Sequence, residues 1–333
     1  MKAFVIIALA VLSLCVVAGG TALYLHQYAT TPIGGSETSA VVWIKPGQRF
    51  SETIEQLQEA GLVNSSDKFR WIARVTGRDR RIQAGEYRLS TSMTPLGILD
   101  TLVRGRSLLH RVVIPEGLTL SRVGEIVEEA KLVSQAAFLE AASGPERLKA
   151  LDIEGTTLEG YLFPETYDFP KGVAAEEVIQ TMVDHFFSVF TPEWTERANE
   201  MGFTIHQVVT LASIVEKETG APEERPVIAR VFLNRLKRGM RLESDPTVIY
   251  GIADFNGNLT RKDLETPTPY NTYQIKGLPP GPIANPGRAS IEAVLYPSDN
   301  PYLFFVSKND GSDHFSSSLA EHNRMVRQYQ RRR

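Results

Sequence analysis

The sequence predicts a mixed α+β protein set behind a single N-terminal transmembrane helix, and three observations carry that prediction. A charge-free apolar run opens the chain. Strand-like alternation then gives way to helical periodicity within one short unit that occurs twice, and longer helices between proline-rich loops fill the rest. The chain has 333 residues, 42% hydrophobic and 23% charged, which is enough for two compact domains and excludes disordered and collagen-like classes. A formal net charge of −3 and one dense basic run, residues 331–333, leave no electrostatic footprint for nucleic acid.

Residues 3–25, "AFVIIALAVLSLCVVAGGTALYL", run 23 residues without a charge, long enough to cross a hydrocarbon core of about 30 Å as a helix. Lys2 precedes the run and the next Lys or Arg is Lys45, so the charge asymmetry holds the N-terminus in the cytoplasm and sends the rest across a single-pass membrane anchor, residues 1–28. A cleaved signal peptide could end at Val16-Val17-Ala18, but the apolar run continues well past that site, beyond the about 7 to 15 residues of a signal core. A lipoprotein would need a small residue where Leu14 stands before Cys15. Cys15 is the only cysteine, so the exported part has neither disulfides nor thiol chemistry. Residues 29–40, with "TTPIGGSETSA", lack periodicity and are expected to form a linker.

The stretch "VVWIKPGQRFSETIEQLQEAGLV" reads as strand, turn at Pro46-Gly47, then a helix with Ile54, Leu57 and Ala60 on one face. The unit returns seventy residues later as "VVIPEGLTLSRVGEIVEEAKLV", residues 112–133. Val42, Ile44, Gly47, Ser51, Glu55, Glu59, Ala60, Leu62 and Val63 all recur, nine identities in 22 positions, which indicates a duplicated α+β module. "AGEYRLS" and "PLGILDTLVRG" close the first copy as a strand and a helix. A two-helix module bounded by short strands resembles the LysM class of glycan-binding domains, here over 41–108. Its usual Gly-Asp-Thr turn is replaced by "PGQRF".

Beyond about residue 150, "AAEEVIQTMVDHFFSVF", "IHQVVTLASIVEKETG" and "PVIARVFLNRLKRG" have helical periodicity, and "YLFFVSK" reads as a buried strand. On a helical wheel, Val208, Leu211, Ala212 and Val215 share one face, while Glu216 and Glu218 fall on its two flanks, roughly 160° apart. They cannot act as a close pair. Both lie in the last turn before Gly220, which is expected to end the helix as its C′ residue. A carboxylate there opposes the helix dipole, and that field together with apolar neighbours raises a carboxyl pKa toward the range a general acid needs. Spacing alone does not choose between the two glutamates, and solvent exposure is the ordinary fate of either.

Other stretches suit a polar ligand. "LEGYLFPETYDFP" sets Glu159 and Glu165 among Tyr161, Phe163, Tyr167 and Phe169, either as a carbohydrate platform or as a hydrophobic loop folded on the core. "ESDPTVIYG" and "ETPTPYNTYQIKGLPPGPIANPG" form a stiff, proline-rich segment carrying Tyr270, Asn271, Thr272 and Tyr273, in the manner of a cleft wall. The six histidines form no His-x-x-x-His pair, and no cofactor or metal is indicated. His314 and His322 have no assigned role. Ser65-Ser66-Asp67-Lys68 and Ser298-Asp299-Asn300 match two boxes of penicillin-binding acyltransferases, but the third, Lys-Thr-Gly, is missing.

Four blocks in order carry a wider resemblance: "LASIVEKETG" at 211–220, "RVFLNRLKRGMRLESDPTVIYG" at 230–251, "DLETPTPYNTYQIKGLPPGPIANPG" at 263–287, and "YLFFV" with a later "HFSSSLAEHN". On them the chain resembles the endolytic murein transglycosylase family (MltG, YceG-like) along essentially its whole length. The resemblance implies a bacterial cytoplasmic-membrane protein with a catalytic domain over 109–333. It implies cleavage of nascent peptidoglycan glycan strands between N-acetylmuramic acid and N-acetylglucosamine, leaving 1,6-anhydro ends and terminating elongation, with peptidoglycan synthases as partners. It also places the catalytic acid/base on the second glutamate of Glu-Lys-Glu-Thr, which is Glu218 here. Glu165, Asp245, Tyr250, Tyr270, Asn271 and Tyr273 are expected to line the cleft. A membrane-tethered glycan-binding scaffold and a hydrolytic muramidase, using Glu218 with Glu165 or Asp245, are the alternatives.

Overall fold

The computed structural model describes residues 2–34 and 37–330. The basic run at 331–333, Met1 and positions 35 and 36 of the expected linker lie outside the described residues. Internal contacts divide the chain into two compact units, one running up to His110 and including Asp168–Val173, the other made of Arg111–Tyr167 and the chain from Ala174 onward.

In the first unit the apolar run folds as α1 (Lys2–Thr30), and it is the one helix among the described residues long and apolar enough to cross a membrane. The expected linker is shorter than 29–40, because Ala29 and Thr30 are still helical and β1 (Ser39–Ile44) has begun by Ser39. Then follow α2 (Phe50–Glu59), α3 (Ser66–Val75), β2 (Gly85–Ser90) and α4 (Pro95–Val103). β1 and β2 pair antiparallel, with Val42 opposite Tyr87. Alternation along β1 turns Val42 and Ile44 inward while Val41 and Trp43 face out. These residues meet Ile54 and Leu57 of α2, Phe69 and Ile72 of α3, and Ile98, Leu99 and Leu102 of α4 in one core, which Ala29 of α1 also enters. The returning segment Asp168–Val173 brings Lys171 to Glu86, 2.9 Å away, and His110 lies at the same distance. Lys171 first, and His110 with it, hold the Glu86 carboxyl below its ordinary value.

The duplicated unit reappears as β3 (Leu109–Val113) and α5 (Leu120–Glu129), followed by α6 (Gln135–Ala142), α7 (Pro145–Ala150) and β4 (Thr166–Pro170), which pairs with β3. Backbone geometry repeats with the sequence. Gly47 and Gly117 have φ of 74° and 73° at the same turn position, and Gly61 and Lys131 have 69° and 57° just past the helix. Lys131 therefore holds a left-handed conformation where the first copy uses glycine.

The second unit continues with α8 (Ala175–Val189), α9 (Pro192–Glu200), α10 (Ile205–Glu218), a 3₁₀ turn at Pro222–Glu224, α11 (Arg225–Lys237), α12 (Asp245–Tyr250), α13 (Arg261–Glu265) and α14 (Arg288–Leu295). The antiparallel pair β5 (Phe304–Ser307) and β6 (Asp313–Ser316) and then α15 (Leu319–Tyr329) complete it. β5 is half-buried, not the fully buried strand that "YLFFVSK" suggested, because a two-stranded ribbon covers one face only.

α10 is the axis of this unit. Thr204 and Gln207 start it with a reciprocal capping box, Gln207 N donating to Thr204 Oγ1 at 3.2 Å and Thr204 N to Gln207 Oε1 at 3.0 Å. The helix is packed by α9, α11, α12 and α14, so every residue from Val208 to Val215 is buried, not only the wheel's apolar face. The two polar side chains inside are satisfied locally: Thr210 Oγ1 donates to His206 O, and Ser213 Oγ donates to Thr210 O while accepting from Ile283 N. The helix does not end through a left-handed Gly220. Thr219 leaves it in extended conformation (φ −82°, ψ 114°), and Gly220 is small for another reason, since a Cβ there would lie 3.3 Å from the Gly311 carbonyl.

The aromatic stretch after α7 folds onto this core, with Leu158, Tyr161, Leu162, Phe163 and Tyr167 all buried. Gly160 makes that possible. Its φ is +89°, and a Cβ would stand 2.5 Å from Pro282 and 2.9 Å from Val209. Gly160→Ala combines backbone strain with overpacking and is expected to cost about 3 kcal/mol or more. Thermal unfolding of the variant checks this; an unchanged midpoint would contradict the packing described.

Candidate active site

Beyond Val215, α10 emerges from the core with its two carboxylates pointing to different neighbours. Glu216 is no surface residue: its side chain is 8% exposed. Gly287 N donates to its Oε2 at 3.1 Å, Ser290 Oγ at 2.7 Å, and Arg225 reaches its Oε1 at 3.4 Å. The Glu116 carboxylate lies against the Cα of Gly287, where a side chain would displace it, and also faces Arg225 at 3.8 Å. Lys217 donates to Gly117 O at 3.2 Å. This flank ties α10 and α14 to the turn of the second repeat.

Glu218 opens on the other side into a cleft of about 550 Å³. Ser244 Oγ donates to its Oε1 at 2.6 Å. Ser244 is itself fixed, its N donating to Thr272 Oγ1 at 3.0 Å and its O accepting from Thr247 Oγ1 at 2.7 Å. The residue before it, Glu243, has φ +50°, a strained conformation of the kind that persists where the surroundings over-determine it. Glu218 keeps partial exposure to the cleft, yet its carboxyl is packed deeply enough that loss of solvation pushes its pKa up to about 7. The Ser244 bond opposes that rise, the nearby charges of Asp245 and Asp313 add to it, and Arg235 opposes it.

Arg235, Asp245, Tyr273, Asp313 and His322 share the cleft with Glu218. Arg235 is buried and donates to three backbone carbonyls, those of Leu303 at 2.6 Å, Leu242 at 2.8 Å and Arg241 at 3.3 Å. It also meets Glu243 at 3.2 Å. Tyr273 OH donates to Asp245 Oδ1 at 2.7 Å, and burial and that carboxylate push its own pKa up. Burial raises the Asp313 carboxyl to about 6, with Glu224 alongside contributing. The His322 ring stacks on Phe304, centroids 5.2 Å apart, and burial lowers its pKa.

The expected cleft residues therefore divide. Asp245 and Tyr273 face Glu218. Asn271 is wholly buried and donates to the carbonyls of Asp263, Leu264 and Thr266, so it holds a loop together and does not face the cleft. Glu165 is exposed at the start of β4, accepting from Thr166 N at 2.8 Å, and lies outside the cleft lining. Tyr250 and Tyr270 pack with ring centroids 4.8 Å apart, tilted 57° to each other, beside Glu159 and not Glu218. His314 Nε2 stands 3.7 Å from Glu321.

Glu159 is the second carboxyl pushed up to about 7, by burial; the sequence set it beside Glu165 in the aromatic stretch, but only Glu165 was expected to line the cleft. Leu120 N donates to both its oxygens at 2.9 and 3.0 Å, Tyr250 OH donates at 3.2 Å and Asn285 Nδ2 at 3.3 Å. Asn285 Oδ1 in turn accepts from Gly160 N and Leu162 N. The signal for Glu159 was its place inside the apolar run "LEGYLF", against the Pro164-Glu165 turn for its neighbour. Arg235 also left a mark, since it falls at i+7 from Ile228, on the face of Val231 and Phe232.

A family model, the YceG-like family, matches residues 42–328. An endolytic murein transglycosylase of Bacillus subtilis is 32% identical over 93% of this chain and 90% of its own length. One of Streptococcus pneumoniae is 29% identical over 98% of this chain, which spans 65% of that relative. A crystal structure of a YceG-like protein from Listeria monocytogenes superposes with a TM-score of 0.60 at 33% identity, covering 87% of this chain and 100% of that one. On sequence and on structure, the chain belongs to the YceG-like family.

Proposed function

We propose that this protein is a membrane-anchored lytic transglycosylase that cuts peptidoglycan glycan strands internally, with Glu218 as its acid/base. The observation that carries the reading is a single carboxyl that opens on a cleft, is held near pKa 7 and is oriented by one hydroxyl. Relatives along nearly the whole chain bear the name endolytic murein transglycosylase. α1 supplies the anchor, with its N-terminus in the cytoplasm.

The chemistry needs one carboxyl. Protonated Glu218 gives its proton to the glycosidic oxygen as the bond from the muramic acid C1 breaks. The 6-hydroxyl of the same sugar attacks C1 and returns its proton to the Glu218 carboxylate. A 1,6-anhydro end forms, no water is consumed, and the acid is regenerated. An ordinary glycosidase needs a second carboxyl for base or nucleophile. Asp245 and Asp313 in the same cleft favour a hydrolytic muramidase as the second reading. Mass spectrometry of the digested strands separates the two, since hydrolysis adds water and leaves reducing ends.

Glu218→Gln retains the acceptor for Ser244 and should fold normally while losing at least about 100-fold in activity. Because the acid must be protonated, wild-type cleavage should fall as pH rises through about 7. Full activity in the variant would remove Glu218 from the mechanism, and reducing ends from the wild type would remove the lytic reaction.

We also propose that residues 41–108 form a LysM-like glycan-holding module. The strand-helix-helix-strand order of β1, α2, α3 and β2 supports this, as does an open groove beside the Pro46-Gly47 turn lined by Gln48, Glu52, Glu55 and Gln56. In the Glu218→Gln background, Glu52→Lys with Glu55→Lys should reduce sedimentation with insoluble peptidoglycan several-fold. Equal sedimentation would contradict glycan holding by this face.

A further inference from the structure

α1 does not stop where its apolar run stops. The helix is continuous from Lys2 to Thr30, and the charge-free residues 3–25 span about 34 Å at 1.5 Å per residue, against a hydrocarbon core of about 30 Å. On the reading that α1 is a membrane anchor, residues near Ala22 and Leu25 mark the level at which the chain leaves the bilayer. The next turn is already part of the folded first unit. Ala29 is buried in its core, and Tyr28 OH donates to Ser65 O at 3.2 Å. No flexible spacer separates the span from the fold.

This fixes the height of α3 above the membrane. An apolar groove runs between Ala18, Ala22 and Leu25 on one side and Trp71, Val75 and Leu96 on the other. Trp71 is 61% exposed and Val75 74%. Scattered exposed apolar residues are ordinary on a soluble surface; these two flank the end of the span. Around them stands the pattern of a membrane–water interface, where Tyr and Trp concentrate and lysines reach up to headgroups. Lys68 Nζ lies 4.4 Å from the Tyr24 ring centroid and 5.3 Å from that of Tyr28. Residues 67–81 carry six cations and two acids. Arg70 pairs with Asp67 and Arg78 with Asp100, while Arg74, Arg80 and Arg81 are exposed.

We infer that this face of α3 beds into the leaflet that α1 leaves, with Trp71 and Val75 among the upper acyl chains and the arginines on anionic lipid phosphates. The groove continues the lipid-facing surface of α1, and its basic rim complements anionic headgroups better than it would the apolar side of a partner helix. The first unit would then be a membrane-surface module, held at fixed height, and not a body swinging on a tether.

The full chain in single-copy nanodiscs containing anionic lipid, with a fraction of the acyl chains carrying a nitroxide near the glycerol, provides the test. Tryptophan emission should be quenched by the share of one of the chain's three tryptophans. Trp71→Phe should abolish that share, and Arg74→Gln with Arg80→Gln and Arg81→Gln should reduce it. Equal quenching in wild type and Trp71→Phe, with the protein still in the discs, overturns the inference and leaves the anchor reading standing; that is also the result if a partner protein is the true occupant. Elution of the protein free of lipid would overturn both.

Discussion

Burial of α10 on every side is the constraint around which the second unit is organised. A helix sealed as far as Val215 delivers its last turn, with two carboxylates, into protein instead of water. Each carboxylate must be answered. Glu216 is answered fully, by an amide, a hydroxyl and a guanidinium. Glu218 is answered by one hydroxyl and a cleft, so its charge is only partly compensated and its proton is held more tightly. The same helix end thus yields one structural anion and one group suited to proton transfer.

Glu159 shows why a raised pKa alone does not identify the acid. Its carboxyl is raised as far as that of Glu218 and by the same cause. Yet it caps the start of α5 and is held by Leu120, Tyr250 and Asn285, sealed at 6% exposure. Access decides between the two. The Asn285 network that seals Glu159 also receives Gly160 and Leu162, and Gly160 tolerates no side chain against Pro282. The proline-rich segment 267–287 therefore acts as structure: Asn271 and Asn285 satisfy buried backbone, and Tyr273 alone of its expected residues turns to the cleft.

Much of this was legible in the sequence. Periodicity located the helices, the seventy-residue repeat predicted a duplicated unit, whose backbone proves to repeat down to its left-handed residues, and the wheel separated Glu216 from Glu218. What escaped depended on partners distant in sequence. Solvent exposure was the ordinary expectation for Glu216, and it is overturned by Ser290 and Gly287, which lie more than seventy residues away in sequence. Glu165 was expected in the cleft although Glu159 sits among the same aromatic residues; the fold buries Glu159 and leaves Glu165 exposed. Gly220 was assigned a left-handed cap, and its smallness instead accommodates Gly311. Local rules describe a helix end by its own residues, while packing decides it by its neighbours.

The central claim is that desolvation, opposed by the Ser244 hydroxyl and more weakly by Arg235, makes the Glu218 carboxyl titrate near neutral pH. Infrared difference spectra between wild type and Glu218→Gln, followed across pH, measure that proton directly. The account predicts a protonated-carboxyl band, absent from the variant, that disappears with a midpoint near pH 7. A midpoint at or below the ordinary glutamate value of 4.5 would contradict it.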